Sequence, residues 1–304
     1  MHIGTEDGRG GCETAGLIIH SDTFFSALFS EILATQGGDA AEGFLKLCRS
    51  GNLSFSSLLP YNADGCFVPK PVMAVRREVD RTGDSVEKKK NKKLKYIPAA
   101  AMDQYLSYLR KGTGGGLFFG KDVFGAAGLA NKVMIAEEEG DNKLYTQAYY
   151  RFQENSGLYL AAACSDEAYF TEVFLSALES LGVSGLGGER SSGMGRFEAC
   201  VSHDDGITLL AERAARAKAL MCVSLLIPEN AGDMACALGY SLIRRRGFIA
   251  SEEYSPARKK LPLCAVGEGS CFSAPVCGSI ADVAPPEGAH SVYRCGMPFY
   301  LGVE

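Results

Sequence analysis

The sequence predicts an α+β protein built from two small units packed together, and three observations support this prediction. Segments with the 3.6-residue apolar period of helices alternate with segments that have the two-residue period of strands. In residues 1–215 they follow the order strand, helix, strand, strand, helix, strand, which is typical of a ferredoxin-like (RRM-like) unit, with a long insertion over residues 52–146. A shorter, degenerate version follows in residues 216–304, and a chain of 304 residues is long enough for both units.

The first helix is predicted to begin at Ser21 or Asp22, whose side-chain oxygens can accept hydrogen bonds from first-turn N–H groups. Its apolar residues have helical spacing and form one buried face: Phe24, Phe25, Leu28, Phe29, Ile32 and Leu33. Gly37 ends this helix, and a second, short helix is predicted over residues 43–50. Because a helix N-terminus carries the positive end of the dipole, His20 is placed to lie beside a phosphate or beside the glycine-rich loop described below.

The insertion begins with extended segments and turns over residues 54–71. Residues 76–95 are crowded with charge, and the lysine-rich run 88–95 is interpreted first as a solvated, mobile loop and second as a polybasic patch near RNA. A short helix is predicted over residues 100–110, and the glycine-rich stretch 112–116 predicts a flexible break.

The insertion ends in a predicted β-hairpin over residues 131–146. Residues 132–135 alternate between two faces, an acidic turn follows over residues 137–141, and a second strand returns. The acidic turn disfavours anion contacts at the tip of the hairpin, whereas the stem includes Asn131 and Lys132.

Two adjacent core strands are predicted over residues 147–152 and 158–164, and the segment Ser165-Asp166-Glu167 opens a helix after them. The core-facing stripe of this helix consists of Phe170, Val173, Phe174, Ala177, Leu178 and Leu181. The stripe stops at Gly182, where we expect the helix to end.

A glycine-rich loop follows the helix and is the strongest functional signal in the sequence. Five glycines fall within residues 185–195, a density that neither a helix nor a central strand tolerates: Gly185, Gly187, Gly188, Gly193 and Gly195. The alternating residues over 197–201 predict that the loop leads into a strand. Such a loop brings bare backbone N–H groups close to an anion, and Arg190 and Arg196 add charged donors that match phosphate oxygens.

The order of elements around the loop excludes two common nucleotide-binding motifs. Walker and Rossmann loops run from a strand through glycines into a helix, whereas this loop runs from a helix into a predicted strand. The paired serines Ser191 and Ser192 favour anion binding further, and a nucleic-acid or nucleotide backbone is the natural ligand. The alternative is a purely structural turn whose glycines supply positive φ.

The second unit is predicted to contain an apolar strand over residues 220–227 and a helix over residues 231–243. Three arginines at 244–246 would then lie at a helix C-terminus, for which the helix dipole and contact with RNA or a subunit are equally good explanations. Lys259 and Lys260 open a further strand, and the strands continue to the end of the chain.

Composition limits the possible ligands. The net charge of −5 excludes a general polyanion binder, so any RNA contact has to come from a local basic patch. The eleven cysteines show no metal-ligand spacing, and we expect reduced thiols, no metal and no cofactor. The polar start and the absence of a long apolar stretch predict a cytoplasmic protein that does not span a membrane.

The loop resembles the glycine-rich loop of the RAMP superfamily, the RNA-binding proteins of CRISPR effector complexes. Further segments resemble the superfamily member that caps the 5′ handle of the CRISPR RNA (crRNA) in type III-A complexes: Ile19–Leu28, Leu59-Pro60, Val68–Pro71, Glu268–Phe272 and His290–Gly296. The resemblance covers nearly the whole chain in order, and it implies that the hairpin projects as a thumb against the RNA.

This resemblance implies a non-catalytic RNA clamp that acts in antiviral defence. Its partners would be the crRNA handle, the large cyclase/nuclease subunit, a backbone RAMP subunit and, indirectly, the target RNA. The expected RNA-binding residues are His20, Ser21, Asp22, Thr23, Asn131, Lys132, Gly185, Gly187, Gly188, Arg190, Ser191, Ser192, Gly193, Gly195, Arg196, Lys259 and Lys260. Arg190 and Arg196 would position the phosphates without reading the sequence.

Two alternative functions remain open. The first is a metal-independent crRNA-processing endoribonuclease of the same superfamily, in which His20 transfers a proton while a 2′-hydroxyl attacks the adjacent phosphate. The second is an adaptor that binds protein partners and uses the glycine-rich loop as a folding feature.

Overall fold

The structure is a computed structural model that describes residues 15–76, 85–112, 118–134, 143–254 and 258–304. Most of the predicted break at 112–116 and the acidic turn of the hairpin lie outside these ranges. None of the helices within them is long and apolar enough to cross a membrane.

Within the described ranges, helices form at most of the positions that the apolar periodicity of the sequence predicts. They are α1 (Ser21–Gln36), α2 (Gly38–Arg49), α3 (Ser85–Lys93), α4 (Met102–Lys111), α5 (Glu167–Tyr169), α6 (Ser176–Ser184) and α7 (Asp205–Arg213). A π-helical segment, Phe170–Leu175, joins α5 to α6, and the Asp166 side chain caps α5 by accepting from the Tyr169 N–H at 2.9 Å. The helix passes the predicted stop at Gly182 and ends at Ser184.

Helix α1 has the predicted face but not the predicted cap. Phe24, Phe25, Leu28 and Ile32 are buried, whereas Leu33 is half exposed. His20 occupies the N-cap position, and its side chain makes no capping hydrogen bond. The prediction of a Ser21 or Asp22 cap is therefore wrong, because both side chains point inward to other partners.

The strands pair antiparallel in small sheets. The first half contains β1 (Leu53–Phe55), β2 (Leu59–Asn62), β3 (Gly65–Pro69), β4 (Tyr96–Pro98), β5 (Gly125–Met134), β6 (Lys143–Phe152), β7 (Gly157–Tyr159) and β8 (Ala162–Cys164). The second half contains β9 (Leu220–Cys222), β10 (Ala237–Gly239), β11 (Leu242–Arg245), β12 (Leu263–Val266), β13 (Cys271–Phe272), β14 (Ser279–Asp282), β15 (Tyr293–Gly296) and β16 (Tyr300–Gly302). The sheet orders are β4-β3-β2-β7, β10-β13-β9-β16, β1-β8, β5-β6, β11-β12 and β14-β15. The finer ferredoxin-like arrangement stays a prediction.

Two large apolar cores hold these elements together. The first lies between the two halves of the chain, because Leu59, Val68 and residues of α4 pack with Met221 and Leu301. The second packs α1 and α2 against the π-helical segment and α6 and is rich in aromatic rings: Phe24, Phe25, Phe44, Phe55 and Phe174. The shared first core means that each half completes the other.

The strand predicted over residues 197–201 is wrong. These residues form neither a helix nor a strand and belong to no sheet, and Val201 is 84% exposed. Alternation alone does not make a strand, because a strand also needs a partner for its backbone groups.

The helix predicted over residues 231–243 is also wrong. A 3₁₀ helix, Ala231–Cys236, leads into β10 and β11, which pair with β13 and β12. A Cβ atom at Gly239 would lie 2.4 Å from the Val72 carbonyl oxygen, so the bare backbone allows this close contact. The arginines at 244–246 therefore begin within a strand and not at a helix C-terminus.

Two further elements differ from their predictions. Residues 147–152 belong to β6 and pair with β5, so they extend the hairpin instead of forming a core strand beside residues 158–164. The lysine-rich run is not a loop over its whole length, because α3 covers residues 85–93.

Candidate nucleic-acid interface

The glycine-rich loop is a tight, closed turn. Gly185, Gly187, Gly193 and Gly195 have φ values between +81° and +95°, a region that favours glycine. The Leu186 N–H donates to the Gly195 carbonyl at 2.9 Å and closes the base of the loop. A Cβ atom at Gly195 would lie 2.0 Å from the Leu186 carbonyl oxygen, so this crossing requires glycine.

The loop is fixed at its base and exposed at its tip. Leu186 is buried in the second core and anchors the loop. The residues exposed to solvent are Gly187, Gly188, Arg190, Ser191, Ser192, Gly193 and Arg196. A 3₁₀ turn, Arg190–Ser192, follows Glu189, which itself has a positive φ of 63°. The loop thus presents both arginines and both serines on a defined backbone.

Glu189 joins the loop to the hairpin. Its Oε2 lies 2.5 Å from Lys132 Nζ on β5. This hydrogen bond is the main cause that lowers the pKa of Glu189, and a hydrogen bond from Gln147 on β6 contributes. Gln147 is buried at this junction. Loop and hairpin therefore form one surface, and Lys132 is engaged with the loop.

The two faces of the hairpin differ in character. Directly opposed residues of an antiparallel pair share a face, so Lys132 shares one with Tyr145, Gln147, Tyr149 and Arg151. Asn131 lies on the opposite face, where its Oδ1 accepts from the Thr146 hydroxyl at 3.1 Å. That face also exposes Leu129, Val133 and Leu144. Asn131 and Lys132, both predicted to contact RNA from the stem, therefore lie on different faces of the hairpin.

The start of α1 is a buried polar cluster. His20 Nδ1 lies 2.7 Å from Glu268 Oε1, and the Ser57 hydroxyl donates to the same oxygen. Burial lowers the pKa of His20, but the Glu268 carboxylate outweighs it and the net shift is upward. Burial raises the pKa of Glu268, whereas His20 and Ser57 together lower it below its usual range. Both shifts favour the imidazolium–carboxylate form of the pair.

Asp22 receives two arginines from the second half of the chain. Arg245 donates from Nε and Nη2 at 2.9 Å to the two carboxylate oxygens, and Arg294 donates from Nη1. The Asp22 side chain is completely buried, which raises its pKa, but the two guanidinium groups prevail and lower the pKa to about 2. Thr23 joins the cluster by accepting from Arg245 at 2.9 Å.

Ser21 completes this part of the structure. Its hydroxyl accepts from the Leu225 N–H at 2.9 Å, and its own N–H donates to the Ser57 hydroxyl at 2.9 Å. His20, Ser21 and Asp22 thus have internal partners, and their side chains serve as supports and not as exposed contacts.

The two predicted lysines of the second half lie in different environments. Lys259 is exposed, and its ammonium lies 5.7 Å from the centroid of the Phe248 ring. Lys260 is more enclosed: burial, followed by the charge of Arg294, lowers its pKa. Lys260 therefore belongs to the cationic group around Asp22.

The predicted residues form two groups and not one. The Ser184 hydroxyl, at the end of α6, donates to Glu31 Oε1 of α1 at 3.1 Å, so the loop starts beside the C-terminal half of α1. His20 lies at the other end of α1, and ten residues of helix span about 15 Å. In the described part of the chain, no cluster of three or more His, Cys, Asp or Glu side chains could hold a metal ion.

Sequence reasoning missed several residues of these groups. Glu189 was a member of the loop motif without an assigned role, and Glu268 belonged to a family-like segment. Arg245 and Arg294 are 223 and 272 residues away from Asp22, so no local spacing could have linked them to it.

Comparisons with known proteins agree with this architecture. The family model of the CRISPR Csm4 C-terminal domain matches residues 215–303. Csm4 of Mycobacterium tuberculosis strain H37Rv is 33% identical over 305 residues, which cover 98% of this chain and 94% of that protein. Csm4 of Streptococcus thermophilus is 29% identical over 308 residues, with 98% and 95% coverage.

Solved structures share the fold. The crystal structure of a Csm3–Csm4 subcomplex of the type III-A interference complex has a TM-score of 0.64 and 18% identity, with 94% of each chain covered. A Csm1–Csm4 cassette bound to cA4 has a TM-score of 0.59 and 20% identity, with 94% and 92% coverage. The chain is therefore a RAMP subunit of type III-A CRISPR effector complexes. Within that class it belongs to the Csm4 family.

Proposed function

We propose that this chain is a non-catalytic subunit that clamps the repeat-derived 5′ handle of the crRNA. In the same proposal it bridges the large cyclase/nuclease subunit to the backbone subunits. The bridging role is supported by the solved relatives, which were crystallised as Csm1–Csm4 and Csm3–Csm4 assemblies. Residues 1–215 carry the loop and hairpin in this proposal, and residues 216–304 form the second domain.

One observation supports the clamp most directly. Glu189 ties the loop to β5 while Arg190 and Arg196 remain exposed on the same short segment. A preformed loop with two exposed guanidinium groups suits phosphate oxygens, because little conformational entropy is lost on binding. Tyr145 and Tyr149 on the adjoining hairpin face add aromatic rings on which unstacked bases can stack.

The buried groups have a supporting role in this proposal. His20, Ser21, Asp22 and Thr23 fix the start of α1 against β11, β15 and the turn that carries Glu268. They act on RNA through the position of Lys260, whose charge interacts with Asp22, and of the exposed Lys259 beside it in the chain.

The nuclease alternative requires His20 to reach an RNA 2′-hydroxyl. The His20 side chain is 6% exposed, and its Nδ1 is engaged by Glu268. A general base must come within hydrogen-bond distance of the proton it removes, so this environment favours the clamp.

The clamp is tested by an Arg190→Ala substitution in the full chain. We expect handle RNA to bind more weakly by about 1–3 kcal/mol and the slope of log affinity against log salt to flatten by about one ion. Fluorescence anisotropy with a handle-length RNA over a salt series measures both quantities. Arg216→Ala removes another exposed guanidinium and is the matched control.

Charge reversal at both Arg190 and Arg196 distinguishes the clamp from the adaptor. A clamp loses RNA while its protein partners still co-purify. An adaptor keeps both, and this outcome together with an unchanged salt slope for Arg190→Ala would contradict the clamp.

A further inference from the structure

Helix α3 carries a dense positive surface far in sequence from the glycine-rich loop. Its exposed lysines, with the one that follows the helix, are Lys88, Lys89, Lys90, Lys92, Lys93 and Lys95. Glu87 is the single acidic residue of the helix. None of the ion pairs within the described ranges involves Lys89, Lys90, Lys92 or Lys93.

Repulsion between these clustered positive charges destabilises helix α3. Like charges at spacings of three and four residues, such as Lys89 with Lys92 and Lys93, each cost a few tenths of a kcal/mol. A nine-residue helix is also too short to be stable in isolation. The rest of the structure therefore has to hold α3 in place.

Asn91 and Leu94 provide that attachment. The Asn91 side-chain oxygen accepts from the Tyr105 hydroxyl at 3.1 Å, and its carbonyl accepts from Lys70 Nζ at 2.8 Å. Leu94 is buried in the first core, and its N–H donates to the Lys90 carbonyl at 3.0 Å. Three separate contacts thus fix the inner side of α3, and the lysines project into solvent from a fixed base.

We propose that the lysine face of α3 is a second RNA contact surface, which binds phosphates of a single strand without reading its sequence. This second proposal rests on the proposed function because it takes RNA as the ligand, but it involves none of the residues of the glycine-rich loop. Compact ammonium groups bind phosphates as point charges, and the exposed face offers no aromatic ring for base stacking. The local charge also contrasts with the net charge of −5 for the whole chain.

An anionic membrane surface fits this helix less well. Membrane-surface helices combine a basic face with a broad apolar face that enters the lipid. On α3 the residues 88–90, 92 and 93 are exposed lysines, and Val86 is the one large apolar residue exposed on it. We therefore take RNA as the ligand, and lipid binding is an outcome of the test.

The test compares two double substitutions of equal charge in the full chain. Lys89→Glu with Lys93→Glu reverses two lysines of the α3 face. Lys46→Glu with Lys111→Glu reverses two exposed lysines of α2 and α4 and is the control. Single-stranded RNA of guide length, measured by anisotropy between 50 and 300 mM salt, is the probe, and vesicles rich in phosphatidylserine are the second probe.

Loss of two phosphate contacts flattens the salt slope by about 1.4 and weakens binding by about tenfold at 0.15 M salt. We expect this effect for the α3 variant and not for the control. Lys89→Gln with Lys93→Gln keeps helix-forming side chains, so the same direction of change in this variant shows that the charge matters and not the fold. Equal slopes for the α3 variant and the control, or binding to vesicles alone, would overturn the proposal.

Arg190→Ala in parallel separates the two proposals. If it weakens RNA binding and the α3 variant does not, the clamp stands and the second surface fails. If the α3 variant alone weakens binding, the second surface stands and the clamp fails. Ultraviolet crosslinking of the assembled complex, with the label on either the guide or the target strand, then identifies which RNA contacts residues 85–95.

Discussion

Among single residues, Asp22 shows most clearly how a buried charge holds this molecule together. Its carboxylate is the shared partner of Arg245 and Arg294, and all three side chains are nearly inaccessible to water. Asp22→Asn removes the negative charge and leaves two buried cations uncompensated. We expect a loss of about 3–5 kcal/mol in the free energy of unfolding. Urea denaturation followed by circular dichroism measures this loss.

A surface ion pair provides the comparison for Asp22. Asp64 pairs with Lys121 at 2.7 Å, but both side chains are about 40% exposed. Asp64→Asn should cost less than about 1 kcal/mol, because water screens the pair. Similar losses for the two variants would mean that the buried cluster contributes no more than a surface contact.

The pH dependence of stability separates His20 from Asp22. The pKa of His20 is raised in the folded state, so its charged form stabilises the fold below pH 6.5, and this contribution is lost as the pH rises through the raised value. The pKa of Asp22 is lowered from 3.8 to about 2, so its contribution is present above pH 3.8 and lost as the pH falls toward 2. The two pKa shifts have opposite directions, so the stabilising contributions of His20 and Asp22 are lost in different pH ranges.

We therefore expect His20→Gln to destabilise the protein most below pH 6.5 and progressively less at higher pH. Urea unfolding at pH 5.5, 7.0 and 8.5 measures the difference from the unsubstituted chain. His203→Gln alters an exposed pair with Asp205 and should have little effect at any of these values. A penalty for His20→Gln that is independent of pH would show that His20 acts by packing and not by charge.

At the scale of elements, two glycines of the loop have the same backbone angle but different surroundings. Gly193 and Gly195 both have φ of +81°. A Cβ atom at Gly193 meets nothing within 4 Å, whereas one at Gly195 would lie 2.0 Å from the Leu186 carbonyl oxygen. Gly193→Ala should cost about 1 kcal/mol of backbone strain and keep the loop intact. Gly195→Ala should force the loop open.

The different surroundings of Gly193 and Gly195 should affect RNA binding differently. We expect Gly195→Ala to weaken handle RNA binding at least tenfold and Gly193→Ala to weaken it only slightly, since the clamp needs a preformed loop. Anisotropy gives the affinities, and hydrogen exchange at the Leu186 N–H reports whether the base of the loop has opened. Equal RNA binding by the two variants would show that RNA binding does not depend on the shape of the loop.

The helices and strands also show which elements could be predicted from the sequence and which could not. Helices α1, α4 and α6 were predictable because their apolar stripes are local and long. The segment 231–243 has a helix-like pattern too, but it pairs with β12 and β13, and no local signal encodes this pairing. The glycine-rich loop was predictable from composition, whereas its attachment to Lys132 depends on a hairpin 57 residues away.

At the scale of the whole molecule, the two halves of the chain share their stabilising interactions. Met221 of β9 is completely buried in the first core beside residues of the first half. The His20–Glu268 pair and the two arginines on Asp22 also cross between the halves. Sequence periodicity indicated two units but contained no information about this shared core.

We therefore expect the full chain to unfold in one cooperative transition, although the sequence predicts two units that meet near residue 215. Met221→Ala leaves a cavity in the shared core and should cost about 2–5 kcal/mol. Calorimetry should show a single transition at a lower temperature, and hydrogen exchange should report equal loss of protection in α4 and in β16. Leu33→Ala, at a half-exposed position of α1, is the control and should cost far less. Two separate transitions, or a loss of protection confined to residues 216–304, would show that the halves fold independently and that the core between them forms only after both have folded.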